Sequence, residues 1–173
     1  AVAPKDGNPG TTVGQQRLNA LQAAADAWGG IVDSSVEIFV NINMDPLTCT
    51  ATSGTLGSAG PTTFFRDFTG APQTGTWYAV GLANALSGVD RSTQSDIDAT
   101  FNSSVGEADC LTSRAWWYGL SGSPSPTEIN FFDVVLHEIA HGLGFTSLVD
   151  TSTGAKALGR DDLGRLAPGA KAD

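Results

Sequence analysis

The chain has 173 residues, of which 40% are hydrophobic and 16% charged, a length that supports one domain with a single core. Eighteen acidic against nine basic side chains give a net charge of -9. That charge argues against a nucleic-acid partner, because neutralising phosphates requires many basic residues. No apolar run approaches the ~20 residues that cross a bilayer, so we expect no membrane span. We also expect the chain to be a monomer.

The predicted elements begin after an N-terminal arm. Residues 1–11 are rich in Pro and Gly and predict a loose arm. Thr12 is a candidate N-cap, and apolar residues that recur every three or four positions over 13–28 predict a helix with one buried face. A Gly-Gly pair ends that helix. Side chains alternate over 35–43, which predicts a strand.

The middle of the chain contains turns and two further strand candidates. The segment 47–61 is rich in Thr, Ser, Gly and Ala and predicts an extended loop with at most one short strand. Strands are predicted at 76–82 and 96–103, and the second has one apolar and one polar face, which is typical of an edge or half-exposed strand. Two prolines in 119–127 predict a loop.

The two cysteines, Cys49 and Cys110, lie far apart and neither belongs to a CxxC pair. Isolated cysteines are poor zinc ligands, because paired spacing is what positions two thiolates on one ion. Two buried thiols and a disulfide both stay open, and the disulfide is favoured by the low lysine content and turn-rich composition of an exported protein. The chain begins at Ala1 without an apolar leader, so we expect a secreted protein whose signal has been removed.

The segment from Asn130 to Phe145 is the most informative one. Asn130 is a candidate N-cap and Gly144 a candidate C-terminal stop, which predicts a helix over about 131–144. One face of this helix is an apolar stripe formed by Phe132, Val135, Leu136, Ile139 and Leu143. His137 and His141 fall on a different face.

His137-Glu138-Ile139-Ala140-His141 reads HExxH on this predicted helix. A spacing of four places both imidazoles one turn apart on one side, so that their nitrogens can converge on one ion. Imidazole suits Zn²⁺, and an open zinc position holds a water whose pKa falls to about 7. Glu138 is placed to accept a proton from that water. The alternative is a surface helix with two solvated histidines and an ordinary exposed carboxylate.

The longer pattern His137-Glu138-x-x-His141-x-x-Gly144 resembles the signature of the metzincins, zinc endopeptidases that read HExxHxxGxxH or HExxHxxGxxD. The Gly-Phe that follows is similar to the leishmanolysin branch of that family. The resemblance implies an α+β fold in which residues 12–145 form a zinc-peptidase catalytic subdomain. It implies a twisted, mostly parallel sheet with an antiparallel edge strand, a backing helix at about 13–28 and an active-site helix at about 131–144.

The same resemblance assigns the strand at 97–103 to substrate binding. Ile97, Ala99 and Phe101 are therefore candidate substrate-binding residues, and a protein or peptide substrate would lie extended along this edge and add backbone hydrogen bonds. A role as ordinary sheet remains the alternative.

Two departures from the family pattern concern the third ligand and the Met-turn. The usual third-ligand position, ten residues after His137, is Ser147, and the chain has no further histidine and no methionine downstream of the motif. One interpretation is that 146–173 begins a truncated lower subdomain whose missing part carries both features. Otherwise 146–173 is an irregular tail.

If the site is complete within this chain, a carboxylate replaces the third imidazole. Asp150 is the nearest candidate, and Asp161 and Asp162 lie further along. The remaining interpretation is a degenerate site. The function expected from the sequence is a secreted zinc-dependent endopeptidase with Glu138 as general base. The alternative is an inactive zinc-stabilised module, or an extracellular interaction module that retains a relic motif.

Overall fold

The fold places three helices and several short sheets around one core in a computed structural model that describes residues 1–146. The helices are α1 (Val13–Gly29), α2 (Val80–Ser87) and α3 (Phe131–Leu143). The strands are β1 (Val40–Asp45), β2 (Gly57–Pro61), β3 (Phe64–Phe65), β4 (Tyr78–Ala79), β5 (Ile97–Asn102), β6 (Ala115–Trp117) and β7 (Glu128–Asn130). The predicted α+β class is confirmed. Within residues 1–146, none of the helices has both the length and the apolar character needed to cross a membrane.

The main sheet has three strands in the order β1-β5-β2. β1 runs parallel to β5, with Ile42 opposite Ala99, and β2 runs antiparallel to it, with Ala59 opposite Ala99. Two smaller sheets pair β3 with β4 antiparallel and β6 with β7 parallel. An antiparallel strand therefore lies at one edge, but in residues 1–146 the sheets are mixed rather than mostly parallel.

The strand predicted to bind substrate at an edge is instead the centre of the sheet. β5 is paired on both sides, and Ile97, Ala99 and Phe101 are at most 1% exposed beneath α3. Their assignment to substrate binding is wrong. Polar Asp98 and Thr100 point to the opposite, open face of the sheet. The alternation in the sequence therefore indicates a strand with one buried and one open face, and it does not indicate a strand at the edge of the sheet.

Phe131, at the start of α3, is the centre of the aromatic core. Its ring lies 5.1–5.2 Å from the rings of Phe101, Trp116 and Tyr118, in edge-on contacts, a preferred geometry for aromatic pairs. Phe131 itself is fully buried. This packing fixes the first turn of the helix that carries the HExxH motif.

Both long helices have the bounds that their periodicity predicts. The Thr12 side chain accepts a hydrogen bond from the Gln15 backbone N–H and caps α1. α3 ends at a Gly144 with a left-handed φ of 114°, a conformation that glycine adopts at little cost. Asn130 precedes α3 but makes no side-chain cap, and its Oδ1 is buried without a partner among residues 1–146.

The strand predicted at 76–82 is mostly wrong, because only Tyr78–Ala79 is extended and α2 begins at Val80. α2 buries Val80, Ala83 and Asn84 on one face, which is a helical spacing. The prediction gave too much weight to the β-forming residues at the start of the segment.

The N-terminal arm, predicted to be loose, is held by hydrogen bonds. The Asn8 side chain is buried and donates to the carbonyls of Gln16 and Tyr118, at 2.9 and 2.7 Å. The Trp117 indole donates to Asp6, and Lys5 forms an ion pair with Glu128. These contacts bring the arm against β6 and β7.

The predicted disulfide joins Cys49 to Cys110, with the Cα atoms 5.0 Å apart and 61 residues of separation. It links the loop before β2 to the loop after β5. A closed loop of this length stabilises the fold by about 4 kcal/mol on the chain-entropy account. The cysteines are therefore structural and do not contribute to a metal centre.

Candidate metal centre

The close approach of α3 to the sheet positions the HExxH residues. A Cβ at Gly142 would lie 2.3–2.8 Å from three side-chain atoms of Ile97, so only glycine lets the helix pack this near to β5. On its other side, α3 contacts α1, where the Trp28 indole donates to the Leu136 carbonyl at 3.1 Å. Since successive helical residues turn by about 100°, His137 and His141 lie on the side away from that contact.

The two imidazoles converge through their Nε2 atoms, which are 3.0 Å apart. Their ring centroids are separated by 4.6 Å and the ring planes are nearly perpendicular. Two nitrogens bound to one tetrahedral zinc at 2.0–2.1 Å are about 3.3 Å apart. The observed separation is close to that value and also suits an N–H···N hydrogen bond between the rings. The pair could thus supply two nitrogen ligands to one metal ion.

The orientation of His141 is set by a backbone carbonyl. Its Nδ1 lies 2.7 Å from the Phe145 carbonyl oxygen. Because a carbonyl can only accept, Nδ1 carries the proton and donates it, which leaves the Nε2 lone pair directed at His137. Metal-bound histidines use the same kind of outer hydrogen bond to fix their tautomer.

Glu138 is buried rather than an ordinary surface charge. The residue is 7% exposed, and its side chain lies against β2, where a Cβ at Gly57 would be 2.9 Å from the Glu138 Cγ. Its carboxylate makes no hydrogen bond or ion pair with any of residues 1–146. Among these residues Asn130 Oδ1 is the one unpaired side-chain polar atom that is fully buried, so the oxygens of Glu138 still reach solvent. His137 is exposed and His141 is half-buried, so the alternative of a surface helix with solvated histidines differs from the structure only at Glu138.

The donor set fits zinc in part. Residues 1–146 contain no group of three or more His, Cys, Asp or Glu side chains that could hold a metal ion, so the candidate ligands in this region are the two converging imidazoles. Asp150, like Asp161 and Asp162, lies outside the described residues. A third protein ligand, as catalytic zinc sites usually have, would come from beyond residue 146.

The exposed edge of the sheet nearest Glu138 belongs to β2. Thr62 N–H donates to Asp96 O, and Asn102 N–H donates to Leu56 O, each at 2.9 Å. In an antiparallel pair the bonds alternate, so the backbone groups of Gly57 and Ala59 point away from β5. They make no other backbone hydrogen bond within residues 1–146. Sequence reasoning missed this edge because a strand of small residues, Gly-Ser-Ala-Gly-Pro, carries no hydrophobic alternation.

The positions predicted for the site thus fall into two groups. The rings of His137 and His141 are brought together, Glu138 lies between them in the helix with its side chain against β2, and Gly144 turns the chain so that the Phe145 carbonyl reaches His141. The cysteines and the three β5 residues lie elsewhere, in a disulfide and in the core.

No protein-family model, curated protein or solved structure matches the chain.

Proposed function

We propose that the chain carries the catalytic centre of a zinc-dependent endopeptidase of metzincin type, with His137 and His141 as two metal ligands and Glu138 as general base. The observation that carries the proposal is the convergence of two imidazoles on the same helix as Glu138, whose side chain packs against β2 and leaves its carboxylate unpaired within residues 1–146 and open to solvent. A carboxylate whose stem is fixed by packing and whose oxygens are free to accept a proton from water is suited to act as a general base. The helix signature, which resembles that of the metzincins, is its second support.

The chemistry divides between the metal and the side chains. Zinc, when bound, supplies a lowered water pKa and polarises the scissile carbonyl. His137 and His141 hold it through Nε2, and the Phe145 carbonyl keeps the His141 ring in the required tautomer. Glu138 accepts a proton from the attacking water and returns it to the leaving amine.

The substrate edge in this proposal is β2 rather than β5. An extended peptide would pair with the outward backbone groups of Gly57 and Ala59. Gly57 lies against the Glu138 side chain, so a peptide on this edge has its backbone beside the general base. Pro61 has no N–H to donate, which limits pairing at that end of the strand.

Secretion is also part of the proposal. The Cys49–Cys110 disulfide is compatible with an oxidising compartment. A protein or peptide is the proposed substrate, and the acidic charge of -9 is unsuited to nucleic acid.

The rival function is a module that binds zinc for stability, or that keeps the motif as a relic, without cleaving peptides. The observation in its favour is that residues 1–146 supply two ligands rather than three. In that case zinc would raise the melting temperature, or have no effect, and casein would stay intact.

The deciding experiment measures casein cleavage by the zinc-loaded wild type and by Glu138→Gln. Glu37→Gln, at an exposed position on the chain, is the matched control. Loss of the general base is expected to lower the rate by about 10²–10⁴-fold, while the control cleaves as the wild type does. Equal cleavage by wild type and Glu138→Gln would refute the assignment of the base, and no cleavage by a zinc-loaded wild type would favour the rival function.

A further inference from the structure

The C-terminal turn of α3 has a defined hydrogen-bond pattern. Phe145 N–H donates to the Ala140 carbonyl at 3.0 Å, and Gly144 N–H donates to the His141 carbonyl at 3.2 Å. Together with the left-handed Gly144, these bonds form a Schellman motif. The motif turns the chain back on the helix, and this return brings the Phe145 carbonyl to His141 Nδ1.

The Phe145 ring has one aromatic neighbour among residues 1–146, which is Trp28. Phe145 is 70% exposed, and its ring centroid lies 6.1 Å from that of Trp28, at an interplanar angle of 38°. The Trp28 indole is in turn tied to α3 by its hydrogen bond to the Leu136 carbonyl. Trp28 therefore makes two contacts that flank the histidines, one with Leu136, directly before His137, and one with Phe145, just past the end of α3.

We propose that Trp28 is a positioning residue for His141. It holds the Phe145 turn, the Phe145 carbonyl holds Nδ1–H of His141, and the ring then directs its Nε2 lone pair towards His137. The inference rests on the proposed function, because it takes His141 as a metal ligand. It assigns to α1 an effect on metal affinity, although no residue of α1 touches the imidazoles in the contacts described above.

The first test measures Co²⁺ and Zn²⁺ affinity by chelator competition in Trp28→Ala and Phe145→Ala. Loss of an outer-shell partner typically weakens metal binding by 10–100-fold, and we expect a loss in that range for both Trp28→Ala and Phe145→Ala, because Trp28 acts through the Phe145 ring. Trp28→Phe keeps a ring against Phe145 and should recover most of the affinity. Leu18→Ala removes an apolar side chain that is 63% exposed on the same helix and should bind as the wild type does.

A merely structural Trp28 would give a different result. Its removal would lower the melting temperature but leave the metal affinity of the folded protein unchanged, and that outcome overturns the proposal. Phe145→Ala guards against a Trp28→Ala that does not fold, because the Phe145 ring is mostly solvent-exposed. Wild-type affinity in a folded Phe145→Ala would equally overturn it.

The second test needs no metal and separates this inference from the proposed function. The ¹⁵N chemical shifts of the metal-free protein report which nitrogen of His141 carries the proton. We expect the Nδ1–H form in the wild type and a mixture of both forms in Trp28→Ala. If the wild type binds no metal, the proposed function fails, while the tautomer comparison still decides the positioning role. An unchanged tautomer in Trp28→Ala would refute that role.

Discussion

Adding one methyl group at Gly57 would displace the proposed general base without altering a metal ligand. A Cβ at this position would lie 2.9 Å from Cγ and 3.2 Å from Cδ of Glu138, and 3.0 Å from the Phe101 ring. Ordinary contacts begin near 3.4 Å, so Glu138 must move by about 0.5 Å or more. Because misplacement by about 1 Å can cost 10²-fold in rate, Gly57→Ala is expected to lower kcat/KM by roughly 10–100-fold.

Gly60 offers a matched control on the same strand. A Cβ there meets nothing within 4 Å, so Gly60→Ala should retain wild-type activity. Gly57→Ala should lose about 1–3 kcal/mol of stability through overpacking and still bind zinc, since His137 and His141 are untouched. The assay is peptide hydrolysis with metal content and thermal melting for each variant. Full activity in Gly57→Ala, or equal losses at both glycines, would refute the placement of Glu138 against β2.

Three other predictions concern the stability of the fold. Replacing Cys49 and Cys110 by alanine should lower the free energy of unfolding, measured by urea denaturation, by about 4 kcal/mol. An equal free energy of unfolding in the variant and the oxidised wild type would contradict this. The Lys5 ammonium, through its hydrogen bond, lowers the pKa of Glu128 to about 2 from 4.5. The pair therefore stabilises the fold above about pH 4.5, and this contribution is lost as the pH falls towards 2. The free energy of unfolding should accordingly decrease less between pH 7 and pH 3 in Glu128→Gln than in the wild type. An identical decrease in the two proteins would argue against the pair. Phe131→Ala should cost about 3–5 kcal/mol, measured in the same way, and a loss below 1 kcal/mol would mean that the aromatic cluster closes around the gap.

The helices could be predicted because local signals for them agree. In α3, an apolar stripe at helical spacing, the acidic Asp133 in the first turn and Gly144 at the end all indicate the same bounds. The convergence of His137 and His141 follows from that helix alone. The part of the site that is local in sequence could therefore be predicted from the sequence alone.

The sheet was less predictable because strand order depends on contacts distant in sequence. Alternation in β5 shows that one face is buried, but it does not say whether a neighbour pairs on each side. The partner at its second side, β2, consists of small residues without a hydrophobic pattern. The edge of the sheet was consequently assigned to the wrong strand.

Contacts between side chains and a distant backbone explain the remaining differences. Asn8 holds the N-terminal arm by bonds to Gln16 and Tyr118, and a Pro/Gly-rich composition gives no sign of such partners. The contact of Trp28 with Phe145 joins positions more than a hundred residues apart. The identity of a third ligand stays a prediction, since Asp150 lies outside the described residues.

Zinc stoichiometry tests the central claim most directly. We expect one tightly bound zinc per wild-type chain, retained in Glu138→Gln and lost in His141→Ala. A wild type that binds no zinc, or a His141→Ala that binds it as tightly as the wild type does, would contradict the claim that these two imidazoles form a metal centre.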